Sequence, residues 1–206
     1  VFYRQMRREQ IIMETLIKTE NSAFIVHELE PEIMLLLEQC VCEVDSELDY
    51  HPEIKIFNKI CHQQRSVGFY SDISKGYNYS TTLTPSKKMK HCLSELLLYI
   101  NDKFDACFNG ILINKYESGE EYIGKHSDDE KGLEPHCGVI AMSFGAVRKL
   151  RIRNKITGKL VLDVPTQPNH IIQMAGYFQK EFTHEIPVEK KVKECRYSLT
   201  FRRHIS

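Results

Sequence analysis

The chain of 206 residues is long enough for one domain with a full hydrophobic core and too short for two domains of ordinary size. Its 42% hydrophobic and 27% charged residues are ordinary for a globular protein, and no stretch has the apolar length that a membrane span needs. The 28 basic and 28 acidic residues cancel, so net charge gives no argument for a nucleic-acid partner and any basic surface must be local.

The cysteines suggest a reducing environment. There are 7 of them, an odd number, and none forms a CxxC pair. The N-terminal segment also lacks the basic, apolar and small-residue regions of a signal peptide. We therefore expect free thiols in an intracellular protein, in the nucleus or the cytoplasm, that is neither secreted nor bound to a membrane.

The first half of the chain has helical patterns. Residues 5–17 carry apolar positions among charges at loose helical spacing. Residues 31–41 begin with a proline, which suits the first turn of a helix, and continue with largely apolar side chains. Thr84-Pro85 is typical of an N-cap followed by proline, and residues 89–100 repeat apolar positions at helical spacing.

Beyond residue 107 the pattern changes to short β-like runs separated mostly by turn residues. The predicted strands are Phe108–Tyr116, Val139–Phe144, Leu150–Arg153, Lys159–Val164, His170–Met174 and Cys195–Arg202. Helices followed by strands without intervening helices predict the α+β class, with an antiparallel double sheet closed against an N-terminal helical layer.

Three side chains suggest a metal centre. His126 and Asp128 are two residues apart, so on an extended strand both point to the same side. His184 is the best third ligand from a distant strand, and two imidazoles with one carboxylate form the facial triad of non-haem Fe(II) oxygenases. An HxD pair alone is weak evidence: the alternatives are a surface histidine beside an acidic loop and a solvated histidine before a turn proline.

The segment Arg196–Arg202 alternates strictly between polar and apolar residues, which places two arginines on one face of a strand. Two guanidinium groups suit a dicarboxylic acid such as 2-oxoglutarate, because each pairs with a carboxylate through parallel hydrogen bonds. Asn114 and Tyr116 add a second polar pair on one strand face shortly before the HxD motif. The alternative is a half-exposed edge strand whose arginines lie in solvent.

Together these motifs resemble the signature of the AlkB family of Fe(II)- and 2-oxoglutarate-dependent dioxygenases, and most closely its eukaryotic-type DNA repair branch. The resemblance runs from about Phe57 to Arg203. It implies a double-stranded β-helix (jelly roll) core, iron held by His126, Asp128 and His184, and O2 as the second co-substrate. It also implies that 2-oxoglutarate is bound by Asn114, Tyr116, Arg196, Ser198, Thr200 and Arg202. Ser198 departs from the asparagine usual there, which puts one hydrogen bond in doubt but removes no charge.

The resemblance also implies contacts to a flipped-out base. Gly76–Ser80 matches the family's lid, so Tyr79 is the expected stacking ring, with Tyr77 beside it and Arg65 shaping the pocket. Asp129 and Glu130 would accept hydrogen bonds from the amino edge of adenine or cytosine. Phe57, Asn58 and Lys59 match a hairpin that wedges into duplex DNA. The alternatives are a core tyrosine, solvated loop acids and a core phenylalanine.

A basic run in the segment Lys149–Lys159 allows two interpretations. It includes Arg151, Arg153 and Lys155, which would suit a surface that faces phosphates. The other interpretation, a solvated charged face, is the more common origin of such a run.

The expected organisation is a single dioxygenase domain over residues 1–206. It comprises an N-terminal helical extension (1–50), a nucleotide-recognition lid (50–82) and a jelly-roll catalytic core (107–203). The expected activity is oxidative demethylation of 1-methyladenine or 3-methylcytosine in DNA, with RNA left open. Hydroxylation of the N-methyl group is coupled to decarboxylation of 2-oxoglutarate and releases formaldehyde. The expected partner is alkylated nucleic acid, bound by a monomer. The alternatives are an oxygenase acting on RNA or protein and a non-catalytic nucleic-acid-binding relative.

Overall fold

The computed structural model describes residues 13–56, 59–79, 82–130, 132–134 and 136–205. Its helices are α1 (Pro31–Val44), α2 (His91–Phe104) and α3 (Phe178–Glu181). Its strands are β1 (Met13–Lys18), β2 (Ser22–Glu28), β3 (Glu53–Ile56), β4 (Lys59–His62), β5 (Ser66–Tyr70), β6 (Gly76–Tyr79), β7 (Thr82–Lys87), β8 (Gly110–Tyr116), β9 (Ile123–His126), β10 (Val139–Gly145), β11 (Lys149–Asn154), β12 (Leu160–Pro165), β13 (His170–Gly176), β14 (Phe182–Ile186) and β15 (Arg196–Arg202).

Two facing sheets form the body of the described chain. The major sheet has nine strands in the order β1-β2-β13-β10-β15-β8-β5-β7-β6, and the minor sheet has four in the order β12-β11-β14-β9. The pairs are antiparallel except β5 with β7, which is parallel. β3 and β4 form a separate hairpin beside them. This double sheet is the jelly roll that the sequence predicted.

The major sheet carries a different core on each face, because side chains alternate along a strand. On the outer face, α1 and α2 cover an apolar cluster that includes Ile113 of β8 and Leu199 of β15. On the inner face, Tyr116 and Met174 pack with minor-sheet residues such as Ile152. The space between the two sheets is therefore enclosed, and polar side chains that point into it are shielded from water.

The helix expected over residues 5–17 is wrong in its described part, and residues 5–12 lie outside the described residues. Residues 13–18 form β1, which pairs with β2 across a turn where the Thr19 hydroxyl accepts the backbone N–H groups of Asn21 and Ser22. Pairing with β2, the neighbour of β13, stabilises the extended form of a segment whose apolar pattern was only loosely helical.

The N-cap expected at Thr84-Pro85 is also wrong. Both residues lie within β7, where Pro85 pairs with Gly76 of β6. The following helix is present, but it begins at His91 after Lys90 as its N-cap. Proline suits an extended strand as well as a first helical turn, and the pairing of β7 with β5 and β6 decides between them.

The other predicted elements are confirmed, with boundaries that shift by up to three residues. α1 begins at Pro31, and the six strands expected beyond residue 107 correspond to β8, β10, β11, β12, β13 and β15. Among the described residues of this region, the short helix α3 occurs where no helix was expected. Within the described ranges, no helix combines the length and apolar character that crossing a membrane requires.

Candidate functional site

The three predicted metal ligands converge where β9 meets β14. His126 ends β9 and pairs directly with His184 of β14, which places the two imidazole centroids 4.3 Å apart. Nε2 of His126 and Nε2 of His184 each lie 3.6 Å from an oxygen of the Asp128 carboxylate. The ligand atoms of all three residues lie within 4.8 Å of one another. Two imidazoles from paired strands and one carboxylate from the loop after β9 are the ligand set expected for non-haem Fe(II).

The protonation of this triad suits metal binding. Burial lowers the pKa of His126 to about 3 and also lowers the pKa of His184. Burial alone would raise the pKa of Asp128, but Arg202 and the two imidazoles hold it below its ordinary value. Nδ1 of His126 lies 2.9 Å from the Gly124 carbonyl, so this nitrogen donates its proton there and leaves Nε2 free for a cation.

The loop that carries the HxD motif is held by the segment before His184. The Ser127 hydroxyl donates to the Phe182 carbonyl at 2.9 Å, and the Asp128 N–H donates to Oε1 of Gln179 at 2.9 Å. Lys155 in turn donates to the Gln179 carbonyl at 2.9 Å. Asp128 is therefore fixed by its backbone as well as by its carboxylate.

β15 is a central strand of the major sheet, between β10 and β8. The half-exposed edge strand considered as an alternative is therefore wrong. Tyr197, Leu199 and Phe201 pack toward the helices, as expected. The opposite face points between the two sheets and is buried, and it carries Arg196, Ser198, Thr200 and Arg202.

Arg202 is at the metal end of this face. Its Nη2 donates to Oδ1 of Asp128 at 2.6 Å, and its guanidinium lies 4.6 Å from the centre of the Tyr77 ring. Burial opposes its charge, but Asp128 and its acidic neighbours outweigh this and raise its pKa. Arg202 therefore stays protonated and links the metal carboxylate to the lid.

Arg196 is a buried guanidinium without an acidic partner among the described residues. Its Nε donates to Oγ1 of Thr166 at 3.1 Å and its Nη2 to Oγ of Ser143 at 2.8 Å, whereas Nη1 has no hydrogen-bond partner there. Burial lowers its pKa to about 10, so it remains charged at neutral pH. A buried cation with an unpartnered nitrogen fits one carboxylate of a small dicarboxylic acid.

A cavity with both polar and apolar lining joins Arg196 to the triad. Asn114 and Tyr116 of β8 line it opposite Ser198 and Arg196 of β15, with which they pair in register. The cavity is lined by all six predicted 2-oxoglutarate contacts and all three triad residues: Asn114, Tyr116, Arg196, Ser198, Thr200, Arg202, His126, Asp128 and His184. These donors and ligands fit Fe(II) and 2-oxoglutarate together.

Strand β6, in the segment expected to form the lid, carries two tyrosines near the triad. The Tyr79 ring meets His126 edge-on, with centroids 6.2 Å apart, and the guanidinium of Arg65 lies 5.1 Å from the Tyr79 centroid. Arg65 also donates to Oδ1 of Asn114 at 2.7 Å, so it connects the lid to the cavity. Tyr77 is buried, and its hydroxyl donates to Oε1 of Glu130, whose pKa is raised by burial.

The remaining residues predicted to contact the base or the duplex are two acids after the HxD motif and residues 57–59. Asp129 accepts from Lys155 at 2.8 Å, so its charge is already paired, whereas Glu130 accepts from the Tyr77 hydroxyl. The base-binding roles of both acids stay predictions. Lys59 is exposed at the start of β4, whereas Phe57 and Asn58 lie outside the described residues.

The basic run in the segment Lys149–Lys159 has its arginines in ion pairs along the minor sheet. Arg151 bonds Asp163 through two nitrogens at 2.8 and 2.9 Å, and Arg153 lies 3.1 Å from Glu185. Acids on neighbouring strands pair with both arginines, which argues against a free phosphate-facing patch at these two positions, and the partly exposed pairs are compatible with a solvated charged face.

Three buried residues of the site were not found from the sequence. Gln179 holds the Asp128 backbone, and Thr166 and Ser143 hold Arg196. Thr166 follows β12 and carries no local signal. Ser143 lies on β10, where the alternation of side chains predicts the face of the strand on which it lies but not its contact with Arg196.

Comparisons with known proteins place the chain in a family. Residues 25–202 match the family model described as the 2OG-Fe(II) oxygenase superfamily. The human DNA oxidative demethylase ALKBH2 is 29% identical over 172 residues, which cover 78% of this chain and 66% of that protein. The human alpha-ketoglutarate-dependent dioxygenase alkB homolog 3 is 31% identical over 150 residues, covering 68% of this chain and 51% of that protein.

The chain thus spans about two thirds of the first relative and half of the second. The fold also resembles the solved structure of OsALKBH1, with a TM-score of 0.59 and 12% identity, covering 91% of this chain and 99% of that one. The family match covers both sheets and all three triad residues, and the curated relatives carry AlkB names. The chain therefore belongs to the 2OG-Fe(II) oxygenase superfamily and is an AlkB-type dioxygenase that uses Fe(II), 2-oxoglutarate and O2.

Proposed function

We propose that this protein oxidatively removes N-methyl groups from 1-methyladenine and 3-methylcytosine in DNA. The main supporting observation is that one cavity joins the triad to the buried cation Arg196, while Tyr79 contacts the triad imidazole of His126 and Tyr77 lines the same cavity. The relatives named as DNA oxidative demethylases support the substrate class. When bound, the ferrous ion couples decarboxylation of 2-oxoglutarate to hydroxylation of the substrate by O2.

The chain's own residues give the co-substrate one orientation. Arg202 is occupied with Asp128 at the metal end, whereas Arg196 is six residues away on the same strand and has no acidic partner among the described residues. Nη1 of Arg196 would bind the distal carboxylate of 2-oxoglutarate, and the triad would hold the ferrous ion at the other end. Asn114, Tyr116, Ser198 and Thr200 line the cavity and would surround the co-substrate.

The lid residues would hold the damaged base. A base that enters beside His126 stacks on Tyr79, which is edge-on to this imidazole and flanked by Arg65. Glu130 is half-buried and accepts a hydrogen bond from the Tyr77 hydroxyl, and a carboxylate there can accept from an exocyclic amino group. Alkylation that blocks pairing lowers the cost of flipping the base out of a duplex.

The test incubates the purified protein with Fe(II), 2-oxoglutarate and oligonucleotides that carry 1-methyladenine or 3-methylcytosine. Single- and double-stranded DNA and RNA are compared, and mass spectrometry scores the loss of one methylene unit. Asp128→Asn is the inactive control because it removes a ligand charge while keeping the side-chain size. We expect the methylated DNA oligonucleotides to lose this methylene unit. If only the RNA oligonucleotides lose it, the substrate is RNA. If succinate is released but no oligonucleotide loses mass, the proposed function is wrong.

The organisation proposed with this function is one dioxygenase domain acting as a monomer in an intracellular, nuclear or cytoplasmic setting. The lid comprises the β3–β4 hairpin with β5 and β6, and the catalytic core begins before β8. All seven cysteines are free, which supports a reducing compartment. The extension over residues 1–50 includes β1 and β2 as well as α1, so its described part is not purely helical.

A further inference from the structure

The guanidinium of Arg196 is held by two hydroxyl groups that come from different sheets. Ser143 lies on β10, which pairs with β15 in the major sheet, and Thr166 directly follows β12 of the minor sheet. Both hydroxyl-bearing residues are almost completely buried, with exposures of 4% for Ser143 and 1% for Thr166. Water cannot easily replace either contact, so each hydroxyl constrains the guanidinium directly.

The Thr166 hydroxyl has a fixed direction. It donates its proton to the Arg148 carbonyl at 2.9 Å, while its oxygen accepts the Arg148 N–H at 3.1 Å and Nε of Arg196 at 3.1 Å. A hydroxyl has one proton and two lone pairs, so all of its hydrogen-bonding capacity is used. The oxygen therefore cannot rotate away from Arg196 without leaving a buried group unsatisfied.

The two hydroxyls leave one nitrogen of Arg196 for a ligand. Nε is taken by Thr166 and Nη2 by Ser143, and Nη1 is buried without a hydrogen-bond partner among the described residues. The planar guanidinium is thereby fixed at two corners, and the third corner is left without a partner in a residue that lines the cavity.

We propose that Thr166 and Ser143 are positioning residues that form a two-hydroxyl clamp, which orients Arg196 so that Nη1 receives the distal carboxylate of 2-oxoglutarate. The inference rests on the proposed assignment of Arg196 to that carboxylate. Neither hydroxyl needs to touch the co-substrate. The clamp lowers the cost of binding because the arginine is already ordered before the diacid arrives.

The test compares Thr166→Val, which keeps the shape and removes the hydroxyl, with Thr166→Ser, which restores it. Binding of 2-oxoglutarate is measured by calorimetry with Mn(II) in place of Fe(II), and Mn(II) binding alone is measured separately. Thr19→Val is the matched control, because it removes a hydroxyl with three hydrogen bonds in the turn between β1 and β2. Thermal melting checks folding of each variant.

We expect Thr166→Val to bind 2-oxoglutarate about tenfold more weakly, as for loss of one hydrogen bond to a charged group. Thr166→Ser and Thr19→Val should stay within about twofold of wild type, and Mn(II) affinity should not change. In turnover, KM for 2-oxoglutarate should rise while kcat at saturation is retained.

Wild-type affinity for 2-oxoglutarate in Thr166→Val would overturn the clamp, and so would equal losses in Thr166→Val and Thr166→Ser. If Thr166→Val does not fold, Ser143→Ala removes the other hydroxyl. It should show the same selective loss of 2-oxoglutarate binding, and an unchanged affinity would overturn the proposal. If the variants contradict the clamp but the wild-type protein demethylates its substrate, the proposed function is unaffected. A wild type that binds Mn(II) but no 2-oxoglutarate defeats the underlying assignment of Arg196.

Discussion

Nη2 of Arg202 lies 2.6 Å from Oδ1 of Asp128, and both side chains are almost fully buried. This contact ties the last strand of the chain to the metal carboxylate. It also means that the carboxylate has a counter-charge whether or not a cation is bound, so the apo protein does not bury an isolated negative charge.

Replacing Arg202 by Met should therefore destabilise the apo protein more than the metal-loaded protein. Removing one partner of a buried ion pair lowers the free energy of unfolding by about 3 kcal/mol or more. A bound cation compensates the negative charge of the Asp128 carboxylate that remains. The measurement is urea unfolding with and without Mn(II). Arg203→Met is the matched control, since Arg203 pairs with Glu134 at the surface, where an ion pair is worth about 0 to 1 kcal/mol. Equal stabilities of Arg202→Met and wild type without metal would contradict the prediction.

Substituting Tyr79 by Ala should lower kcat/KM on methylated oligonucleotides by about tenfold, because stacking on an aromatic ring is worth about 1 to 3 kcal/mol per base. Tyr79→Phe keeps the ring and should stay near wild type. The affinity for 2-oxoglutarate with Mn(II) should be the same in both variants. If Tyr79→Ala demethylates at the wild-type rate, Tyr79 is not the stacking ring.

The stability of the fold should decline in acid partly because of His204. This imidazole packs on Phe69 with ring centroids 4.7 Å apart, and burial, aided by Arg202, lowers its pKa to about 4 from the ordinary 6.5. Because the folded-state pKa is the lower one, its stabilisation is complete above pH 6.5 and is lost as pH falls through 4. His204→Gln should reduce this pH dependence.

Urea midpoints measured between pH 7 and pH 4 test this, with His91→Gln as the control because the His91 side chain is 89% exposed. His91→Gln should follow the wild-type curve. If the urea midpoint of His204→Gln changes with pH as that of the wild type does, His204 does not cause the loss of stability in acid.

The salt dependence of nucleic-acid binding should not involve Arg151 and Arg153, since Asp163 and Glu185 already pair with them. The double substitution of these arginines by Gln should leave the slope of log K against log salt unchanged. Lys59→Gln, in the exposed lid hairpin, should reduce that slope by about 1, as for loss of one phosphate contact. A large loss of slope in the double arginine variant would show that the ion pairs open on binding.

The sequence by itself determined the elements and faces that follow from a periodic pattern over a few residues. Alternation from Arg196 to Arg202 assigned each side chain of β15 to the correct face, and the i, i+2 spacing of His126 and Asp128 put both on one side of the chain. The position of His184 on a distant strand suggested the third ligand, and the resemblance in these motifs implied the jelly roll. The apolar repeat of α1 and the β-like runs beyond residue 107 were also sufficient to place those elements.

Only the tertiary structure decided which neighbours these elements acquire. Residues 13–18 and Thr84-Pro85 are extended because they pair with β2, and with β5 and β6, respectively. Local sequence patterns contain no information about such long-range hydrogen bonds. The ion pairs of the minor sheet and the clamp on Arg196 join residues distant in sequence, such as Thr166 and Arg196. No spacing rule links these residues, because the packing of one sheet on the other brings their side chains together.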